Sequence, residues 1–105
     1  EEGDQDWTYT IAEPKRIDEY IVAYETVTTD EDTKFSLMEM IIQALTNQEN
    51  EDLINSNWKK VQILLNKDFE LHKYTIYYWC CWENNDLNDC WEVTPLMRQF
   101  WLDKK

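Results

Sequence analysis

Residues 73–82 constrain this chain more than any other stretch. They read Lys73-Tyr74-Thr75-Ile76-Tyr77-Tyr78-Trp79-Cys80-Cys81-Trp82, five aromatic rings and two adjacent cysteines behind a single charge. Each such ring brings ~150–250 Å² of surface that folding gains by hiding. The aromatic and β-branched composition predicts a strand. In that conformation Tyr74, Ile76, Tyr78, Cys80 and Trp82 share one face, and Thr75, Tyr77, Trp79 and Cys81 the other. Both faces are apolar or aromatic, whereas an antiparallel sheet in a small domain ordinarily leaves one face to water. One layer of short helices covers one face. The second then needs a second copy of the chain, another protein or a ligand, unless the chain wraps round to cover itself.

The flanking pattern supplies the helices. Trp7, Tyr9 and Ile11 alternate with threonines, which predicts a first strand. Pro14 suits the first position of a helix, and Ile17, Tyr20, Ile21 and Tyr24 fall on one helical stripe. The β-branched run Thr26-Val27-Thr28-Thr29 ends it. Thr29-Asp30-Glu31-Asp32 reads as a cap with an acidic first turn. The next helix, with Phe35, Leu37, Met38, Met40, Ile41, Ile42, Ala44 and Leu45, is apolar round most of its circumference and should be central. A third helix over residues 51–66 buries Ile54, Trp58, Val61 and Leu65. Residues 83–89 form a polar connection, and residues 90–94 return as a short strand. Thr94-Pro95 opens a last helix with Leu96, Met97, Phe100 and Trp101 on its apolar face. The expected fold is α+β. A small antiparallel sheet of about three strands carries three to four helices mainly on one face, in the order β-α-α-α-β-β-α. The 105 residues make one domain, with residues 1–5 a loose N-terminal segment.

Charge narrows the partners. The chain has 22 Asp and Glu against 10 Lys and Arg, a net charge of -12. Residues 54–105 balance to zero, so the whole excess lies in residues 1–53. Nucleic acid and anionic membrane surfaces both demand a basic footprint and are excluded as partners on this ground. No apolar run approaches the ~20 residues that cross a bilayer. Glu1-Glu2-Gly3-Asp4 lacks the pattern of a signal peptide. Asp18, Glu19, Asp30, Glu31, Asp32, Glu51 and Asp52 are the expected acidic surface for a basic protein partner, with steering by the field of the whole chain.

Little chemistry is assembled by motif. A single glycine rules out a glycine-rich phosphate cradle. His72 is the only histidine, with Asp68 and Glu70 near it in sequence but no surrounding motif, and a structural imidazole is the default. Cys80 and Cys81 face opposite ways in a strand and do not fit one zinc ion. Asn84, Asp86 and Asn88 alternate like calcium ligands, but the loop lacks the required glycine and terminal glutamate. Three cysteines, an odd number, predict reduced thiols in a cytoplasmic protein, with a Cys81–Cys90 or Cys80–Cys90 bridge across a hairpin as the alternative. No catalytic, metal or cofactor residue is assigned. The reading is a small acidic interaction protein, not an enzyme. It self-associates, most simply as a dimer, through the aromatic surface of Tyr77, Tyr78, Trp79, Trp82, Trp91 and Trp101. Alternatively the same rings wall a pocket for an apolar or cationic small molecule, a cation being favoured by Glu83 or Glu92.

Overall fold

The structure, a computed structural model, describes residues 13–26 and 30–104. Among them are five α-helices and no strand. A single 3-10 turn, Pro14–Arg16, leads into α1 (Ile17–Thr26). Then come α2 (Glu31–Thr46), α3 (Glu51–Lys67), α4 (Phe69–Cys80) and α5 (Thr94–Lys104), with a second 3-10 turn, Leu87–Asp89, before α5.

Local signals set the helix starts. The Asp30 carboxylate accepts from the Thr33 backbone N–H and from its hydroxyl, at 3.3 and 2.6 Å, and so satisfies donors that the first turn of α2 leaves open. Asn50 does the same for Leu53 at the start of α3, at 2.9 Å. Asp68 alone separates α3 from α4.

Helix α2 is central because apolar residues take most of its circumference, leaving water only a narrow stripe of Asp32, Ser36, Glu39 and Gln43. Leu37, Met38, Ile41, Ile42, Ala44 and Leu45 are all fully buried, with α1, α3 and α4 packed around them. Two side chains fix the directions. Gln48, just past α2, donates to the Pro14 carbonyl before α1, at 2.9 Å. Lys34, near the start of α2, reaches Asp68 beyond the end of α3, at 3.4 Å. So α2 runs antiparallel to both neighbours. Helix α5 lies on α4 and touches α3, with Trp58 and Phe100 meeting edge to face at 6.0 Å between ring centres.

The sheet expected from residues 73–82 does not exist, so the α+β fold class is replaced by an all-helical one. Those residues continue α4, which buries His72, Thr75, Ile76, Trp79 and Cys80. That is spacing i, i+3, i+4, i+7, i+8, one helical stripe. A segment apolar at nearly every position satisfies period two and period 3.6 alike, and packing against α2 and α5 decides for the helix. The returning strand at residues 90–94 is also absent. Val93 donates its N–H to the Thr46 hydroxyl at 3.2 Å, and Thr94 spends its own hydroxyl on the Trp79 carbonyl at 3.0 Å rather than on a cap. The first expected strand and residues 1–5 lie outside the described residues. Among the described residues no helix is long and apolar enough to cross a membrane.

Candidate functional site

Helix α4 has two sides with different fates. The inner side joins the core, and Trp79 is only 5% exposed. The outer side presents Tyr74, Tyr77 and Tyr78, at 77%, 50% and 56% exposed, a row one helical turn long. Beyond the helix end, Trp82 and Trp91 come round to complete a cleft of about 360 Å³ lined by Tyr74, Tyr77, Tyr78, Cys81, Trp82, Glu83 and Trp91. Trp91 is wedged between layers, 4.4 Å from the Trp79 ring centre and 5.4 Å from Tyr78. Glu83 is the one charged residue of the lining.

Of the six rings expected to form one surface, Tyr77, Tyr78, Trp82 and Trp91 are therefore brought together. Trp79 goes inward. Trp101 packs edge-on to Tyr77 at 5.3 Å and lines a separate cleft with Phe69, Glu70, Lys73 and Lys104. Tyr74 belongs to the lining and was not singled out. Its signal is the spacing Tyr74, Tyr77, Tyr78, Cys81, visible once the segment is read as a helix. Self-association through a sheet face loses its basis, because the exposed rings stand on a helix and its trailing loop.

Arg98 of α5 holds this end of α4 in place. Its Nε donates to the Cys80 carbonyl at 2.6 Å, and one terminal nitrogen donates to the carbonyls of Cys81 and Asn84, at 2.6 and 3.0 Å. Its guanidinium carbon also sits 4.8 Å from the Trp82 ring centre. A cation here meets the negative end of the helix dipole and adds donors to carbonyls of the last turn and the loop after it, the Cys81 carbonyl also accepting from the Asn84 N–H at 3.2 Å. Cys81 closes the helix in the left-handed region, φ 55° and ψ 44°, where glycine is usual.

His72 sits in a second polar cluster, and it is closed. The Tyr24 hydroxyl donates to Asp68 Oδ2 at 2.6 Å and lies 2.6 Å from His72 Nε2. One hydroxyl proton serves one acceptor, so Nε2 carries the proton on the imidazole and donates to Tyr24. His72 is fully buried, and its Nδ1 has no partner. Burial outweighs the nearby Asp68 charge and drops the imidazole to about 4. Burial and the bond to Asp68 push the Tyr24 phenol up. The Tyr24 hydrogen bond, aided by Lys34, holds the Asp68 carboxyl below its usual range. A neutral imidazole and a neutral phenol, both shut away from solvent, offer no proton to a substrate. The cluster ties α1, α2 and α4 together through the Asp68 hinge.

The acidic residues do not form one patch. Asp18 and Glu19 begin α1, Glu51 and Asp52 begin α3, while Asp30, Glu31 and Asp32 begin α2, which runs the other way. They are exposed and divided between opposite ends of the bundle. Two already have cationic neighbours, Asp18 with Lys60 at 3.2 Å and Glu19 with Arg16 at 3.0 Å. Their positions at helix starts suit the macrodipole. Among the described residues no three or more His, Cys, Asp or Glu side chains are gathered as a metal site. No family model matches the chain, and no curated protein or solved structure is significantly similar to it.

Proposed function

We propose that this chain is a non-enzymatic interaction protein whose aromatic cleft receives a cationic side chain of a basic protein partner. The observation that carries the reading is the lining. Five aromatic side chains turn toward one open space whose only charged neighbour in the wall is the Glu83 carboxylate. Ring faces attract a cation through their quadrupole, by ~0.5–1 kcal/mol each at exposed sites and more when water is excluded. At about 360 Å³ the cleft is at the small end of binding sites, suited to one side chain rather than an extended molecule. The net charge of -12 draws a basic partner from a distance, wherever the individual carboxylates sit. Arg98 adds a positive charge beside Trp82, but three carbonyl oxygens already engage it.

The test is a tryptophan-fluorescence titration with a Lys- and Arg-rich peptide, and with a Glu-rich peptide of equal length, at low and high salt. Saturable binding of the basic peptide alone is expected, weakening with salt. Tyr78→Ala and Glu83→Gln should each weaken it a few-fold, as ~0.5–1 kcal/mol per contact implies. Basic-peptide binding that neither variant changes would place the contact elsewhere. A sedimentation run in which the tyrosines mediate a stable dimer would show the cleft filled by a second copy, against the proposal.

A further inference from the structure

We propose that Cys81 and Cys90 are a modification site, a reversible dithiol–disulfide pair closed by exchange with a small-molecule disulfide. The inference is independent of what the aromatic cleft receives. The two sulphurs stand 2.7 Å apart, with the Cys90 thiol donating to Cys81 Sγ. A disulfide bond is about 2.05 Å, so closure asks for less than an ångström of movement.

Separate scaffolds hold the two residues there. Arg98 pins the Cys81 and Asn84 carbonyls. Cys90 is set by the Leu87–Asp89 turn, with its N–H donating to the Leu87 carbonyl at 3.1 Å and the Asp86 side chain accepting from Asn88 at 2.9 Å. The pair thus meets because the backbone brings it together. Both thiols are partly open to solvent, and Cys81 lines the cleft, so a small reagent reaches it. Cys80, one residue away, is fully buried in the core and serves as an internal contrast.

The exchange balances as follows. Cys81 sulphur, toward which the Cys90 thiol and the Asn84 amide (4.0 Å) both point, gives up its proton and attacks one sulphur of the small disulfide. The S–S bond of the reagent breaks, and the first thiolate leaves and is protonated. Cys90 then loses its proton and attacks the Cys81 sulphur of the mixed disulfide, expelling the second thiolate. Two protein thiols and one small disulfide become one protein disulfide and two small thiols. A small thiol runs the steps backward. Trp82 and Trp91 each follow one of these cysteines and both line the cleft, so the closed bond would tie its two tryptophan-bearing walls together.

The test is equilibration of the folded chain in buffers of graded oxidised-to-reduced glutathione ratio, with acid quench, alkylation, intact mass and peptide mapping. The expected product is one bridged species lighter by about 2 Da, the mass of two hydrogens, with Cys81 joined to Cys90 and Cys80 alkylated only after unfolding. Cys80→Ala should titrate as the parent does. Cys90→Ser should stop at a glutathione adduct on Cys81. Three unmodified thiols in the most oxidising buffer, a stable adduct on the parent without ring closure, or a bridge that uses Cys80 would each overturn the proposal.

Discussion

Acidifying the folded chain should cost it about 3 kcal/mol through His72 alone. The imidazole titrates at about 4 in the fold against 6.5 in the unfolded chain, and each pKa unit is worth ~1.36 kcal/mol. The folded value is the lower one, so the unfolded state takes up the proton first as the pH falls. Stability therefore declines from about 6.5 down to about 4 and then levels for this group. The groups facing His72 act in other ranges. Asp68 is held below its ordinary 3.8, so the stabilisation it supplies is lost only below His72's window. Tyr24, its phenol pushed up by burial, stays neutral throughout. Among the described residues Glu39, which meets Thr75 rather than His72, acts in the opposite sense. Its carboxyl is raised by burial, so it gains a proton in the fold first and returns some stability as the pH falls. The assay is urea unfolding, followed by tryptophan fluorescence at a series of pH values, for the parent and for His72→Gln, which keeps a donor for Tyr24. The difference between the two curves should open by about 3 kcal/mol across that window. Parallel curves, or an NMR titration placing His72 near 6.5 in the folded chain, would refute the burial argument.

Three other changes probe the same framework. Tyr24→Phe removes the hydroxyl shared by Asp68 and His72 and leaves Nε2–H buried and unpaired, a loss of about 1–3 kcal/mol in urea unfolding. Arg98→Ala should cost about 2–3 kcal/mol, and Arg98→Lys should recover less than half of it, since one ammonium cannot span the carbonyls of Cys80, Cys81 and Asn84; full recovery would reduce Arg98 to a point charge. Glu39→Gln keeps an acceptor for the Thr75 hydroxyl, now 3.2 Å from Oε2, and removes a half-buried charge, so the urea midpoint should rise at neutral pH and the advantage should vanish in acid.

The sequence makes α2 plain and α4 obscure for one physical reason. Around α2, a capping Asp30 and acidic Glu31 and Asp32 precede an apolar run that carries the helix to sixteen residues, longer than the ordinary strand and with a helix's start signals. Over residues 74–80 of α4 nearly every position is apolar or aromatic, so the spacing carries no period of its own. The deciding polar residues are His72 and Thr75. Both are buried on the inner stripe, and their partners, Tyr24 and Glu39, come from other helices. A single-residue hinge at Asp68 and the acidic Glu70 in the next turn are the only local marks of a helix start there. The meeting of Cys81 with Cys90 was legible as a bridge alternative, but by the wrong route. A helix end in the left-handed region and a 3-10 turn bring them together, not a hairpin. The dispersal of the acidic residues follows from the alternating helix directions, which composition does not contain.

The account rests on residues 73–80 being helical with the tyrosines of α4 outside. Backbone NMR of the folded chain tests this directly, through Cα shifts and sequential amide NOEs over Phe69–Cys80 combined with solvent-relaxation contrast on the aromatic rings. Helical shifts are expected across the whole span, with Tyr74 and Tyr78 strongly affected by a soluble paramagnet and Trp79 shielded. Extended shifts with cross-strand contacts to residues 90–94, or a protected Tyr74 beside an accessible Trp79, would contradict it.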